Sequence, residues 1–220
     1  MATPIGHAIA GFAISGVSRP QTRKEKIALA LVCMFAATAP DLDVIPGLLL
    51  GTPARFHGGI SHSLGFAVAL SLAIAGAYRL VGKPSREIFL LALAAYISHL
   101  ALDMLGPDAR PPYGVPIFWP LSGQTFISPV SILLGVRHAA SASTGTLEWI
   151  GNLLSLRNVA AIAVEALIMI PLVIVTKLRG RVTLITVFSS MKGREQQPTW
   201  KILMQLSKSR LLRIWRKTIS

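Results

Sequence analysis

Long apolar stretches decide what this chain can fold into. Four of them approach or exceed the roughly 20 helical residues that cross about 30 Å of hydrocarbon. They cover residues 27–50, 63–81, 88–105 and 159–176, and the first is interrupted by Pro40-Asp-Leu-Asp43. Only 14% of the 220 residues are charged, whereas a soluble domain carries about a quarter. The pattern predicts an all-α integral membrane bundle.

A fifth apolar stretch, residues 4–17, is short and rich in glycine. It fits either a short tilted span or a re-entrant helix, so the predicted bundle has four or five spans. Cys33 is the single cysteine and lies in an apolar run. It excludes an intramolecular disulfide, and we expect it to be a small buried hydrophobe.

Basic residues in the connecting loops predict the orientation in the membrane. They precede the first long stretch, link the second to the third, and follow the fourth: Arg19, Arg23, Lys24, Lys26, Arg79, Lys83, Arg86, Lys177, Arg179 and Arg181. The positive-inside rule places these loops in the cytoplasm. Residues 51–62 and 106–158 then lie at the outer face. The second of these segments is rich in Pro, Gly and Ser and contains Phe118-Trp119, a composition that predicts an interfacial or lid-like segment.

The net charge of +13 is concentrated in the C-terminal part of the chain. Of 22 Lys and Arg residues, 11 fall between Lys177 and Lys217. We therefore divide the chain into a membrane-embedded domain, 1–176, and a basic cytoplasmic segment, 177–220. Residues 200–220 predict an amphipathic helix on an anionic leaflet, with a solvated tail as the alternative. Membrane lipids, not nucleic acid, are the expected partners of so apolar a chain.

Seven ionisable residues lie beside or inside the apolar runs, where each costs about 2.5–3.5 kcal/mol on insertion scales and so usually marks function. They are His7, Asp41, Asp43, His57, His62, His99 and Asp103. The loop-charge argument places six of them toward the outer face, and His7 as well if residues 4–17 span the membrane. That shared position is independent of their chemistry and favours a common site.

Imidazole and carboxylate groups are ligands for zinc, manganese or iron. In APDLD, residues 39–43, both acids can reach one site if the helix ends near Pro40. In FHGGISHS, residues 56–63, the two glycines allow a tight turn. His99 and Asp103 share one helical face because they are four residues apart. Seven candidates exceed the needs of one tetrahedral ion, so we expect one or two divalent ions, zinc or manganese.

Each motif alone has a simpler explanation. APDLD can be the end of a span with two solvated acids. FHGGISHS can be a loop in which Ser61 or Ser63 caps a helix, and His99 with Asp103 can be an ion pair within the bundle. The metal hypothesis is favoured because the three motifs share one face. Outside them, we expect His138 to be solvated, since no acid is near it in sequence. Glu165 is expected to pair with a cation or to support the site without binding metal.

These motifs in this order resemble the YdjM-like family of membrane-bound, predicted metal-dependent hydrolases. The pieces that carry the resemblance cover roughly the first 125 residues: His7, APDLD at 39–43, HGGISHS at 57–63, SHLALD at 98–103 and YGVPIFWPLS at 113–122. The family is similar to the zinc-dependent phospholipase C and single-strand nuclease group, which implies phosphoester hydrolysis. It also implies a bacterial inner membrane. The family commonly has His-Arg-Gly where this chain has His57-Gly58-Gly59.

The expectation is therefore a hydrolase with a metal site at the outer face, acting on a phosphoester or a lipid-linked substrate. Asp41 or Asp43 would serve as ligand or general base, and Arg55 would hold an anionic group such as phosphate unless it lies among lipid headgroups. An ion- or proton-coupled transporter or channel subunit is the first alternative. A metal-binding but inactive membrane scaffold is the second.

Overall fold

The computed structural model describes residues 1–18, 22–108, 113–139 and 141–179. Within these residues the chain forms α-helices and no β-strand, so the all-α prediction is confirmed. The helices are α1 Pro4–Ser15, α2 Arg23–Thr38, α3 Val44–Leu49, α4 Leu64–Leu80, α5 Ser85–Leu105, α6 Thr146–Leu153 and α7 Leu156–Arg179. The predicted amphipathic helix of residues 200–220 lies outside the described residues.

Three helical segments are long and apolar enough to cross a membrane: Arg23–Leu49 (α2 continued through α3), Ser85–Leu105 and Leu156–Lys177. Two shorter apolar helices, α1 and α4, accompany them. At a rise of 1.5 Å per residue, the 17 residues of α4 extend about 26 Å and the 12 residues of α1 about 18 Å. Both are shorter than the roughly 20 residues of a full span. The three long segments and these two short helices correspond to the five apolar stretches from which the sequence predicts four or five spans.

Small side chains hold α2 and α5 close together. Cys33, Ala36 and Ala37 of α2 are fully buried against Ala92 and Ala95 of α5. Small residues let helix backbones approach closely, which is how helices associate in lipid. The predicted burial of the free cysteine is confirmed.

Large apolar side chains cover the outside of the bundle. Leu31 of α2, Leu72 of α4 and Leu167 of α7 are 60%, 58% and 73% exposed. In water such surfaces would be unfavourable, whereas in a bilayer they face lipid. The exposed surface therefore agrees with an integral membrane location.

The sequence sets the helix ends that meet at one end of the bundle. Thr3 caps the start of α1 through a hydrogen bond from Gly6 N–H, and Ser63 caps α4 by accepting from Phe66 N–H at 3.3 Å. The α2 helix ends at Thr38, two residues before Pro40, and continues as a 3-10 turn over Ala39–Asp43. The helix end near Pro40 and the serine cap of α4 are as expected from the sequence.

Candidate metal centre

Four buried ionisable side chains and the partly buried Asp41 meet where these helix ends come together. His99 and Asp103 lie in the last turns of α5, His62 precedes α4, Asp41 is in the 3-10 turn after α2, and His7 is near the start of α1. The three histidines are fully buried, and Asp103 is 3% exposed. Residues separated by up to 96 positions in sequence thus share one pocket of the bundle.

The distances from two of the histidines to Asp103 match the edges of a coordination tetrahedron, and those to Asp41 are longer. The Nε2 atoms of His62 and His99 lie 3.4 and 3.2 Å from Asp103 Oδ2. The same two nitrogens lie 3.8 and 3.7 Å from Asp41 Oδ1. Around a tetrahedral ion with bonds of about 2.0–2.1 Å, neighbouring ligand atoms are about 3.3 Å apart. His7 Nε2 lies beside this set, 3.2 Å from Asp103 Oδ1.

The converging atoms make no hydrogen bonds within the described part of the chain. They are the Nε2 atoms of His7, His62 and His99 and the Oδ2 atoms of Asp41 and Asp103. Buried polar atoms are almost always satisfied, and leaving so many without partners is strongly unfavourable. A divalent cation would satisfy several of these atoms at once, so the residues present fit a metal ion.

Three overlapping ligand groups describe the possible positions of an ion. Their ligand atoms lie within 4.8 Å of one another in each group: His7, Asp41 and His99; Asp41, His57 and His62; and His62, His99 and Asp103. Of the seven residues predicted as ligands, the structure brings six into these groups and leaves out Asp43. Asp41 belongs to two groups and is the most central carboxylate.

Hydrogen bonds on the far side of the imidazole rings orient them. His99 Nδ1 donates to the carbonyl oxygen of Ala37 at 2.8 Å, which leaves the Nε2 lone pair directed into the cluster. The Nδ1 atom of His62 lies 3.1 Å from Ser61 Oγ. Such contacts fix the tautomer and the ring orientation of a histidine ligand.

Asp43 holds the loop that carries two of the histidines. Its Oδ1 lies 2.9 Å from His57 Nδ1, and its Oδ2 accepts hydrogen bonds from Gly58 N–H at 3.1 Å and Ser61 Oγ–H at 2.7 Å. The same Oδ2 is 3.3 Å from His62 Nδ1. Gly58 has φ +78°, a conformation that favours glycine at this turn.

The electrostatics of the loop favour a cation in the cluster. Burial alone would lower the pKa of His62, but the surrounding carboxylates, first those of Asp41 and Asp43, outweigh it and raise the pKa to about 10. The same carboxylates would attract a metal ion to Nε2, and the ion would bind the neutral imidazole.

Glu165 of α7 positions the start of α1. It is 1% exposed, and its carboxylate accepts hydrogen bonds from Thr3 N–H at 2.9 Å and from the Thr3 hydroxyl. Next to Thr3, Ala2 N–H donates to Asp103 Oδ1 at 2.8 Å. Of the two roles that the sequence left open for Glu165, these contacts match support of the site without metal binding, because they hold the helix that carries His7.

The expectation that His138 is solvated is wrong. Its ring is half-buried and lies edge-to-face against the ring of His57, with 5.0 Å between centroids. Both histidines and Asp41 line a cavity of about 120 Å³. The long outer segment folds back over the cluster. Sequence spacing carried no signal for this, because no acidic residue is near His138 along the chain.

Arg55 is exposed at the edge of a larger cavity of about 720 Å³. Its guanidinium carbon lies 5.6 Å from the centre of the Phe56 ring, and Asp43 also lines this cavity. The walls are mainly apolar and include Phe35, Leu42, Phe56, Ile60, Phe66 and Leu70. Arg55 does not touch the metal cluster but stands at the mouth of an apolar groove beside it.

Comparison with known proteins places the chain in a family. The family model described as YdjM inner membrane protein matches residues 1–183. The chain belongs to this family. The YdjM family resemblance found in the motifs is thereby confirmed, and the match extends beyond the motifs to α7. With its apolar helices, the chain is an integral inner membrane protein. No curated protein and no solved structure matches it.

Proposed function

We propose that this YdjM family member is a membrane-embedded, metal-dependent hydrolase of phosphoester or lipid-linked substrates. The observation that carries the proposal is the set of buried nitrogen and oxygen atoms on His62, His99, Asp103 and Asp41. The ligand atoms of His62, His99 and Asp103 lie within 4.8 Å of one another, and Asp41 Oδ1 lies 3.8 and 3.7 Å from the two Nε2 atoms. The Nε2 atoms and the Oδ2 atoms of both acids have no hydrogen-bond partner within the described residues. Zinc is the expected ion and manganese the alternative, because the ligands are neutral imidazoles and carboxylates.

The bound ion would lower the pKa of a water molecule toward 7 and polarise the scissile group. Asp41 suits the ligand role, because its side chain faces the buried histidines and is 19% exposed where it lines the small cavity. Asp43 suits a positioning role, because both of its oxygens contact the loop of His57 and His62. In this proposal Asp41 binds the metal ion and Asp43 positions the loop that carries His57 and His62.

The apolar groove supports a substrate that carries a hydrophobic chain. Asp43, whose side chain also contacts the histidine loop, lines it together with Arg55, which would offer a charge-assisted hydrogen bond to a phosphate. The basic loops lie at the other ends of the helices, so the positive-inside rule puts the site at the outer face of a bacterial inner membrane and the C-terminus in the cytoplasm. A site at that depth meets lipid headgroups directly.

We expect Arg55→Ala to raise KM for a phosphate-bearing lipid about tenfold, since a charge-assisted hydrogen bond contributes about 1.5–3 kcal/mol and exposure reduces it. The change in kcat should be smaller, because Arg55 lies outside the cluster. Initial rates over a substrate range, with Arg79→Ala at the opposite end of α4 as a matched control, measure this. Equal KM values for both variants would remove Arg55 from substrate binding.

A direct test of the proposed function uses the detergent-purified chain. It is stripped with a chelator, reloaded with zinc or manganese, and assayed on a soluble phosphodiester, a soluble phosphomonoester, a phospholipid and an isoprenoid phosphate. We expect hydrolysis of at least one ester that disappears on stripping and returns on reloading. A chain that binds metal but hydrolyses no ester of any class would favour the scaffold alternative.

A further inference from the structure

We propose that the hydroxyl of Tyr96 positions His62 for metal binding. The inference rests on the proposed metal chemistry and extends it to a residue that does not itself bind the ion. Tyr96 belongs to α5 and is 2% exposed. Its hydroxyl donates a hydrogen bond to the carbonyl oxygen of Ser61, the residue directly before His62. The bond therefore joins α5 to the backbone that carries one of the ligands.

Tyr96 shares one face of α5 with the two ligands that this helix provides. His99 follows it by three residues and Asp103 by seven, and residues at i, i+3 and i+7 lie on the same side of an α-helix. All three residues are buried. The helix face that supplies His99 and Asp103 thus also holds the loop that supplies His62.

The contacts of Ser61 carry this connection to the imidazole ring of His62. Ser61 Oγ lies 3.1 Å from Nδ1 of His62 and donates to Asp43 Oδ2 at 2.7 Å. The Ser61 side chain therefore fixes the orientation of the ring, whereas the Ser61 carbonyl oxygen, through Tyr96, fixes the distance of the loop from α5. Contacts of this kind behind a metal ligand affect metal affinity about 10–100-fold.

Packing of the aromatic ring does not explain the hydroxyl. The ring of Tyr96 lies in a small apolar cluster with Ala67 and Leu100, and a phenylalanine would fill the same space. Burial of a hydroxyl costs free energy unless the group is hydrogen-bonded. The contribution that distinguishes tyrosine from phenylalanine at this position is therefore the hydrogen bond to Ser61.

The ligand spacing leaves little room for movement of the loop. His62 Nε2 lies 3.4 Å from Asp103 Oδ2 and 3.8 Å from Asp41 Oδ1, and ligand distances in metal sites stay within about 0.2 Å of their usual values. Without the bond from Tyr96, Ser61 and His62 can move away from α5. The ion would then be bound more weakly and in a different geometry.

The test compares Tyr96→Phe with the wild type in the full, detergent-purified chain. Zinc affinity is measured by competition with a chelating indicator, and the visible spectrum of the cobalt-loaded protein reports the number and geometry of the ligands. We expect the zinc affinity to fall about 10–100-fold and the cobalt spectrum to change. Tyr78→Phe is the matched control, because it removes the hydroxyl of a half-buried tyrosine of α4 that packs against the interface of α2 and α5. It should change neither measurement.

A purely structural role of the hydroxyl predicts a different result. The metal-free Tyr96→Phe protein would then unfold at a lower temperature, while its zinc affinity and cobalt spectrum stayed at the wild-type values. An unchanged zinc affinity or an unchanged cobalt spectrum would overturn the positioning role and leave the metal-dependent hydrolase intact. A wild type that binds no ion would instead overturn both the positioning role and the proposed function, so the two failures are distinguished.

Discussion

Asp103→Asn should strip the metal ion from the site formed with His62 and His99. The substitution keeps the size of the side chain and the acceptor for Ala2 N–H, but it removes the negative charge between His62 and His99. Loss of outer-shell partners costs about 10–100-fold in metal affinity, so loss of a buried ligand charge should cost more. We expect an affinity reduction of about a thousandfold, with hydrolysis falling in proportion.

Metal analysis of the purified variant beside the wild type measures this, together with His62→Ala. Glu148→Gln provides the matched control, because it removes one carboxylate charge from an exposed position of α6. Wild-type metal content in a folded Asp103→Asn variant would contradict a metal site at Asp103. Absence of metal from every form would return His99 and Asp103 to an ion pair or a proton relay, and the transporter alternative would then be favoured.

The sequence predicts those parts of the site that depend on local geometry. His99 and Asp103 are one helical turn apart, so their shared face follows from the helix itself. The positions of Asp41 and Asp43 follow less directly. A 3-10 turn has three residues per turn, so residues two apart point in different directions. Asp41 therefore faces Nε2 of His62 and Asp43 faces its Nδ1, a division of roles that the i, i+2 spacing did not predict.

The remaining contributions come from chain segments that no local pattern links to the site. His138 reaches His57 only because the described part of the outer segment, residues 113–139, folds back over the cluster, and the short helix α6 that follows was not predicted. Glu165 reaches Thr3 across 162 positions. Composition can show that a buried acid needs a partner, but it does not identify the partner.

Glu165→Leu should destabilise the bundle and weaken metal binding together. It leaves the buried Thr3 N–H and hydroxyl without the acceptor that they now share. An unsatisfied buried donor costs about 1–3 kcal/mol, so the free energy of unfolding should fall by about 3 kcal/mol. The start of α1 would then shift and carry His7 away from Asp103.

Thermal unfolding in detergent, with and without zinc, separates these effects. Glu165→Gln keeps one acceptor oxygen and should lie between the wild type and Glu165→Leu in both stability and affinity. Leu167→Ala, on the lipid-facing side of the same helix at 73% exposure, should change neither strongly. If Glu165→Leu lowers stability but leaves zinc affinity at the wild-type value, Glu165 only anchors α1. If stability and zinc affinity both fall, the position of His7 depends on α7. Metal binding then depends on a helix that provides no metal ligand.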